Sequence, residues 1–108
     1  MGYPVIVVPF LNVDGMALFP FILVKSQRIK NDPLLIRHET IHMKQALELL
    51  VLPFYILYLL NYLANRLKYR NHNKAYMEIA FEKEAYQNEC DITYLKRRRL
   101  WAWRFYLK

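Results

Sequence analysis

Residues 31–53 read Asn-Asp-Pro-Leu-Leu-Ile-Arg-His-Glu-Thr-Ile-His-Met-Lys-Gln-Ala-Leu-Glu-Leu-Leu-Val-Leu-Pro, and the order of elements follows from them. Asp32 is a helix-capping residue type, and Pro33 suits the first helical position because the N–H it lacks would find no intrahelical partner there. Neither glycine nor a further proline interrupts the next nineteen positions, which predicts a helix from near Pro33 to about Leu52. Pro53 then ends or kinks it, since an interior proline removes a hydrogen bond and collides with the preceding turn.

Inside that helix lies His38-Glu39-Thr40-Ile41-His42. At about 100° per residue, positions four apart fall within roughly 40° of each other and one turn apart, so both imidazoles can bind one ion. Glu39 is turned about 100° from His38, near enough to act on a water at that ion and off the line of direct ligation. Neutral imidazole nitrogen is a zinc ligand, and a carboxylate is the base for a water that zinc has acidified. Shuffling this composition yields the pattern in roughly 0.3% of cases, which favours a metal site over two histidines placed by chance.

A catalytic zinc commonly takes three protein ligands and leaves one position open. His72 is the remaining histidine. The three-histidine form of the motif needs His at position 48, where this chain has Glu48, so that form is excluded. A glutamate from a later helix is the other solution. Residues 75–98 predict such a helix, and it carries Glu78, Glu82, Glu84 and Glu89. Positions 78, 82 and 89 fall within about 40° of one another on a helical wheel, while Glu84 points elsewhere. Like charges so placed repel unless a cation lies over them.

HETIH followed by a glutamate on a downstream helix resembles the gluzincin zinc metallopeptidases, the thermolysin-like group. The segment Phe81-Glu82-Lys83-Glu84-Ala85-Tyr86 is similar to that group's glutamate helix, in which the ligand sits in a Glu-x-x-Ala or Glu-x-x-x-Asp setting. The resemblance implies Glu82 as third ligand, Ala85 being three residues later. Tyr86 stands where an aspartate is common, which leaves Glu89 or Asp91 to orient a ligand histidine. More widely, the chain resembles small uncharacterised bacterial proteins with a hairpin, a HExxH helix, an apolar segment flanked by Arg and Lys, and an F-E-x-E-A-Y-x-N-E helix. The implied activity is zinc-dependent hydrolysis of peptide bonds in a peptide or protein substrate, with Glu39 as general base. His72, Tyr76 and Tyr86 are the candidate donors to the developing oxyanion. In such folds an edge strand ahead of the active-site helix binds the substrate backbone, and residues 16–24 are the segment placed to do so.

On the N-terminal side, residues 5–10 and 16–24 are rich in β-branched and aromatic side chains, and Asn12, Asp14 and Gly15 between them supply turn chemistry. They predict a β-hairpin whose second strand lies at an edge or breaks near Pro20. On the other side, residues 54–68 resume as an apolar helix, 69–74 form a polar loop, and 100–108 form an aromatic, basic tail. A short hairpin followed by three or so helices predicts a mainly helical α+β fold in one domain spanning 1–108.

The 108 residues carry 16 Lys+Arg against 9 Asp+Glu, a formal charge of +7. That balance points to an acidic partner without naming one. Cys90 is the single cysteine, which excludes an internal disulfide and a multi-cysteine zinc site. No basic residue precedes the first apolar stretch and Ile6 stands where a myristoylation signal needs Ser or Thr, so a cytoplasmic protein without a secretory signal is expected. Residues 49–60 hold no charge but are shorter than the roughly 20 residues of a span, which reads as a core or membrane-surface helix. With the Trp101, Trp103, Phe105 and Tyr106 tail, it supports a competing reading: a peripheral membrane protein whose zinc site is structural or vestigial. Nucleic-acid binding through Lys96-Arg97-Arg98-Arg99 is disfavoured, because no nucleic-acid module is recognisable.

Overall fold

A computed structural model describes residues 3–107; Met1 and Gly2, where the excluded myristoylation signal would begin, and Lys108 at the end of the basic tail lie outside them. Three strands come first, β1 (Val5–Val7), β2 (Gly15–Leu18) and β3 (Phe21–Val24). The helices α1 (Gln27–Lys30), α2 (Pro33–Glu48), α3 (Leu52–Lys68), α4 (His72–Met77), α5 (Ala80–Asn88) and α6 (Tyr94–Arg97) follow, and a 3₁₀ turn over Ala102–Tyr106 ends the chain. The class is the expected mainly helical α+β.

The sheet departs from the expected hairpin. Its order is β1-β3-β2, with β2 antiparallel to β3 and β1 parallel to it, Val5 opposite Ile22 and Val7 opposite Val24. Pro20 is the reason: having no N–H for the ladder, it splits residues 16–24 into two strands that fold back on each other through Phe19-Pro20. The hairpin is therefore β2 with β3, and residues 5–7 join as a third strand. Ile22 and Val24 on the central strand are buried, and β2 keeps one edge free of any described strand.

Helix α2 begins as expected, with Asp32 Oδ1 accepting from the Leu34 N–H at 3.0 Å. It ends earlier, at Glu48, because Pro53 occupies the first turn of α3, where its missing N–H costs nothing; the break thus falls ahead of the proline. The corner bends the axis by 112° and holds Leu50 (φ 62°) and Val51 (φ 69°) in the left-handed region.

The long helix expected over 75–98 is three helices. Asn71 caps α4 by accepting from Lys74 N–H at 3.0 Å, so helix starts within the expected loop. Ile79 is extended, and the Ala80 N–H that opens α5 donates to the Asn61 side chain of α3 at 2.9 Å. Asp91 then accepts from Thr93 N–H at 2.9 Å, turning the chain into α6.

Three apolar clusters meet on α2. Met43 packs with Ile22, Val24 and Ile29 beneath the sheet; Ala46 packs with Phe54, Ile79 and Phe81; Ile41 packs with Ala85 and Tyr94. Trp103 closes the second cluster, its ring 5.2 Å from Phe81, while Trp101 and Phe105 of the tail remain exposed. The helix bearing HExxH is therefore the hub of the molecule, and its histidines are held by packing on three sides.

Candidate metal centre

His38 and His42 project from one face of α2 toward α5, where Glu82 sits in the first turn. Each imidazole Nε2 lies 3.1 Å from the same oxygen, Glu82 Oε1. All three side chains are buried. The expected ligand set is thus brought together, one potential ligand atom from each residue and all within 4.8 Å of one another.

The far side of each group is occupied. His38 Nδ1 is 2.7 Å from Glu89 Oε1, and His42 Nδ1 is 2.7 Å from Gln45 Oε1, both acceptors, so each Nδ1 carries the proton. The Tyr58 hydroxyl donates to Glu82 Oε2. With Nε2 of each ring deprotonated, two imidazole lone pairs and one carboxylate oxygen aim at a common point, so a proton or a cation must sit between them. The 3.1 Å separations are also close to the roughly 3.3 Å edge of a tetrahedron with bonds of about 2.0–2.1 Å. The donor set fits a divalent cation that takes imidazole and carboxylate, zinc among them.

Without a cation, protons take that place. Burial disfavours charge on His42, but the Glu82 carboxylate outweighs it and lifts the imidazole to about 9. Burial alone would raise Glu82; the charge on His42 and hydrogen bonds from His38, His42 and Tyr58 instead hold it well below the usual carboxylate range. Glu39 makes no ligand contact. Burial pushes its carboxyl up, against the pull of His42 and His38.

Glu39 lies where two cavities meet. One of about 610 Å³ runs past Asp14, His38, His72 and Tyr86; the other, of about 290 Å³, is lined by Met16, His42, Phe54, Tyr55 and Tyr58. Both share Val13, Gly15, Glu39 and Tyr76, so the start of β2 and Tyr76 each border both halves of the cleft.

The remaining expected residues divide. Tyr76 and Tyr86 bond to each other through their hydroxyls at 3.2 Å, and Tyr86 packs its ring 4.4 Å from that of His38. His72 opens α4 and bonds through Nδ1 to the Tyr62 hydroxyl at 2.7 Å, on the wall of the larger cavity. Glu89 fills the orienting role left open between it and Asp91. Asp91 does not reach the site: it caps Thr93 and pairs with Arg97, because the chain has already turned away at the end of α5. Glu78 is likewise withdrawn, since it ends α4 rather than sharing a helix with Glu82, and it pairs with Lys83 at 3.3 Å.

Gln45, Tyr58 and the groups behind them are absent from the sequence reading. Gln45 Nε2 donates to Phe81 O at 3.0 Å and Glu84 Oε1 at 2.9 Å; Glu84 in turn accepts from Tyr94 at 2.7 Å and Arg98 at 2.5 Å. Arg98 also forks onto Glu48 at 2.7 and 3.1 Å. Gln45 carried a signal, lying three residues after His42 on the same face. Tyr58 carried none, because its place depends on how α3 docks. Comparison with protein-family models, with curated proteins and with solved structures gives no match to this chain.

Proposed function

We propose that this protein is a zinc-dependent metallopeptidase. The observation that carries the reading is the convergence of His38 Nε2, His42 Nε2 and Glu82 Oε1 on one point, with both Nδ1 atoms and the second carboxylate oxygen already engaged. His38, His42 and Glu82 would hold the ion, which when bound supplies Lewis-acid polarisation of a water and of a substrate carbonyl.

Glu39 is the general base. Its buried carboxyl, raised by desolvation, accepts one proton from the attacking water as the water oxygen bonds to the carbonyl carbon. It returns that proton to the amide nitrogen as the C–N bond breaks, leaving a carboxylic acid and an amine. Tyr76 is the donor best placed for the developing oxyanion, since it borders both halves of the cleft, and burial keeps its hydroxyl protonated at high pH. The edge of β2 away from β3 can take an extended peptide at its Gly15 end, since the Tyr55 hydroxyl already bonds the Ala17 carbonyl at 3.0 Å and the Phe19 N–H at 2.9 Å, and the aromatic cavity at Phe54, Tyr55 and Tyr58 lies beside it.

Elemental analysis of purified protein tests the ligand set. One zinc per chain is expected, lost in His38→Ala, His42→Ala and Glu82→Ala. Glu39→Gln should retain the zinc and lose hydrolysis of fluorogenic peptides by a hundredfold or more, about the share general-base catalysis supplies. Zinc retained in Glu82→Ala would move the third ligand elsewhere, and hydrolysis undiminished in Glu39→Gln would end the assigned mechanism.

A further inference from the structure

Helix α3 has two unlike sides. Toward the protein it presents Phe54 to the core, Tyr58 to Glu82, Asn61 to the Ala80 N–H and Asn65 to the Ala75 carbonyl. Away from it stand Leu52, Ile56, Leu59, Leu60, Leu63 and Leu67, all exposed, Leu67 by 88%. At about 100° and 1.5 Å per residue these six fall within an arc of about 100° along roughly 22 Å of helix. The corner before α3 continues the surface: Leu50, 81% exposed, is held at φ 62°, where a glycine would be usual. The Trp101 N–H bonds Glu48 Oε2 at 2.7 Å, bringing an exposed indole to the same corner. A contiguous apolar face of this kind marks a contact surface.

Charge identifies the partner. Residues 49–77 contain Arg66, Lys68, Arg70 and Lys74 and no Asp or Glu, so every charge along this stretch is positive. Lys68 and Lys74 lie over the Tyr69 ring, and Arg66 donates to the Tyr62 hydroxyl, which gathers the cations at the C-terminal end of the stripe. A second copy would bring two chains of charge +7 together. An anionic bilayer offers both an apolar interior for the leucines and negative headgroups for the cations.

We propose that α3 docks on the surface of an anionic lipid bilayer, with Leu52 to Leu67 entering the acyl boundary and Arg66, Lys68, Arg70 and Lys74 meeting the headgroups. Among the described residues no single helix is long and apolar enough to cross a membrane. The tyrosine and asparagine bonds on the inner side tie α3 to the protein, so the helix lies in the plane of the interface. Because Tyr58 lines the cavity beside Glu82, docking would hold the cleft near the bilayer.

The test reads neither metal nor hydrolysis and so stands apart from the peptidase reading. The whole chain, as purified, is sedimented with phosphatidylcholine vesicles with and without phosphatidylglycerol. Pelleting with the anionic vesicles is expected, with a blue shift in tryptophan emission, and about tenfold weaker binding to phosphatidylcholine alone or at high salt. The variant Ile56→Glu/Leu60→Glu/Leu63→Glu should stay in the supernatant with an unchanged circular dichroism spectrum, since those side chains are exposed. Should it lose its fold, Arg66→Gln/Lys68→Gln/Arg70→Gln/Lys74→Gln gives the second reading, expected to weaken anionic-vesicle binding about tenfold. Wild type that ignores both vesicles, or pelleting untouched by either variant, overturns the proposal. A dimer on a sizing column that the triple glutamate variant dissociates, without vesicle binding, assigns the face to a second copy instead.

Discussion

His42 is oriented by a chain of buried groups. Its Nδ1–H meets Gln45, whose amide is fixed by Glu84, whose carboxylate is fixed by Arg98 and Tyr94. Gln45 and Glu84 are both 0% exposed, so neither can exchange a lost partner for water without reopening the core. Two consequences differ in what they read. Gln45→Ala removes the acceptor on His42 together with the donor to Phe81 O and Glu84, and zinc affinity measured by chelator competition should fall about 10–100-fold, the usual cost of losing such a partner; unchanged affinity would mean that packing alone sets the ring. Glu84→Ala strips Arg98 of one of its two carboxylates inside the protein. Urea unfolding should then show a loss of about 3–5 kcal/mol, as for other broken buried ion pairs, and a loss below about 1 kcal/mol would place Arg98 in water instead. The His38, Glu39 and His42 arrangement was legible in the sequence because a four-residue spacing on a helix is local information. Glu82 came through resemblance, and Tyr58 and Arg98 were out of reach, since each arrives from an element whose placement is tertiary.

Between elements, the breaks carry the same lesson. Residues 75–98 hold helix formers almost throughout, and nothing local marks a stop at Ile79. The stop comes from α3: Asn61 accepts from the Ala80 N–H and so serves as the cap that Ile79 cannot provide. The sheet order was hidden for a related reason, because the parallel pairing of β1 with β3 depends on chain returning from a distance, whereas the role of Pro20 was local and readable. Asn61→Ala should cost about 1 kcal/mol, the worth of a side-chain cap. Since that cap fixes the turn carrying Glu82, the variant should also weaken zinc binding, while Asp32→Ala, which uncaps α2 six residues before His38, should lower stability by a similar amount and leave zinc affinity alone. Equal effects of the two on zinc would show that helix α5 is held by packing and not by Asn61.

At the scale of the whole molecule, the interior is unusually rich in ionisable groups for its size. Among the described residues fourteen apolar side chains are buried, and beside them lie His38, Glu39, His42, Gln45, Glu82 and Glu84. Five of those six can carry charge, and buried charge is costly unless compensated. Arg98 compensates Glu84; without a metal, a protonated His42 and hydrogen bonds from His38 and Tyr58 compensate Glu82. A bound divalent cation replaces that arrangement with three ligand bonds joining α2 to α5, so its binding free energy adds directly to folding. Zinc at a thousandfold its dissociation constant should stabilise the fold by about 4 kcal/mol, by mass action alone. For a chain of this length that is a rise in Tm of roughly 15–30 °C, read by calorimetry before and after chelation. Glu82→Gln keeps the shape and removes the ligand charge, so its Tm should respond weakly to zinc. If chelation leaves the wild-type Tm unmoved, or Glu82→Gln responds to zinc as fully as wild type, the cluster is a hydrogen-bonded core and not a metal centre.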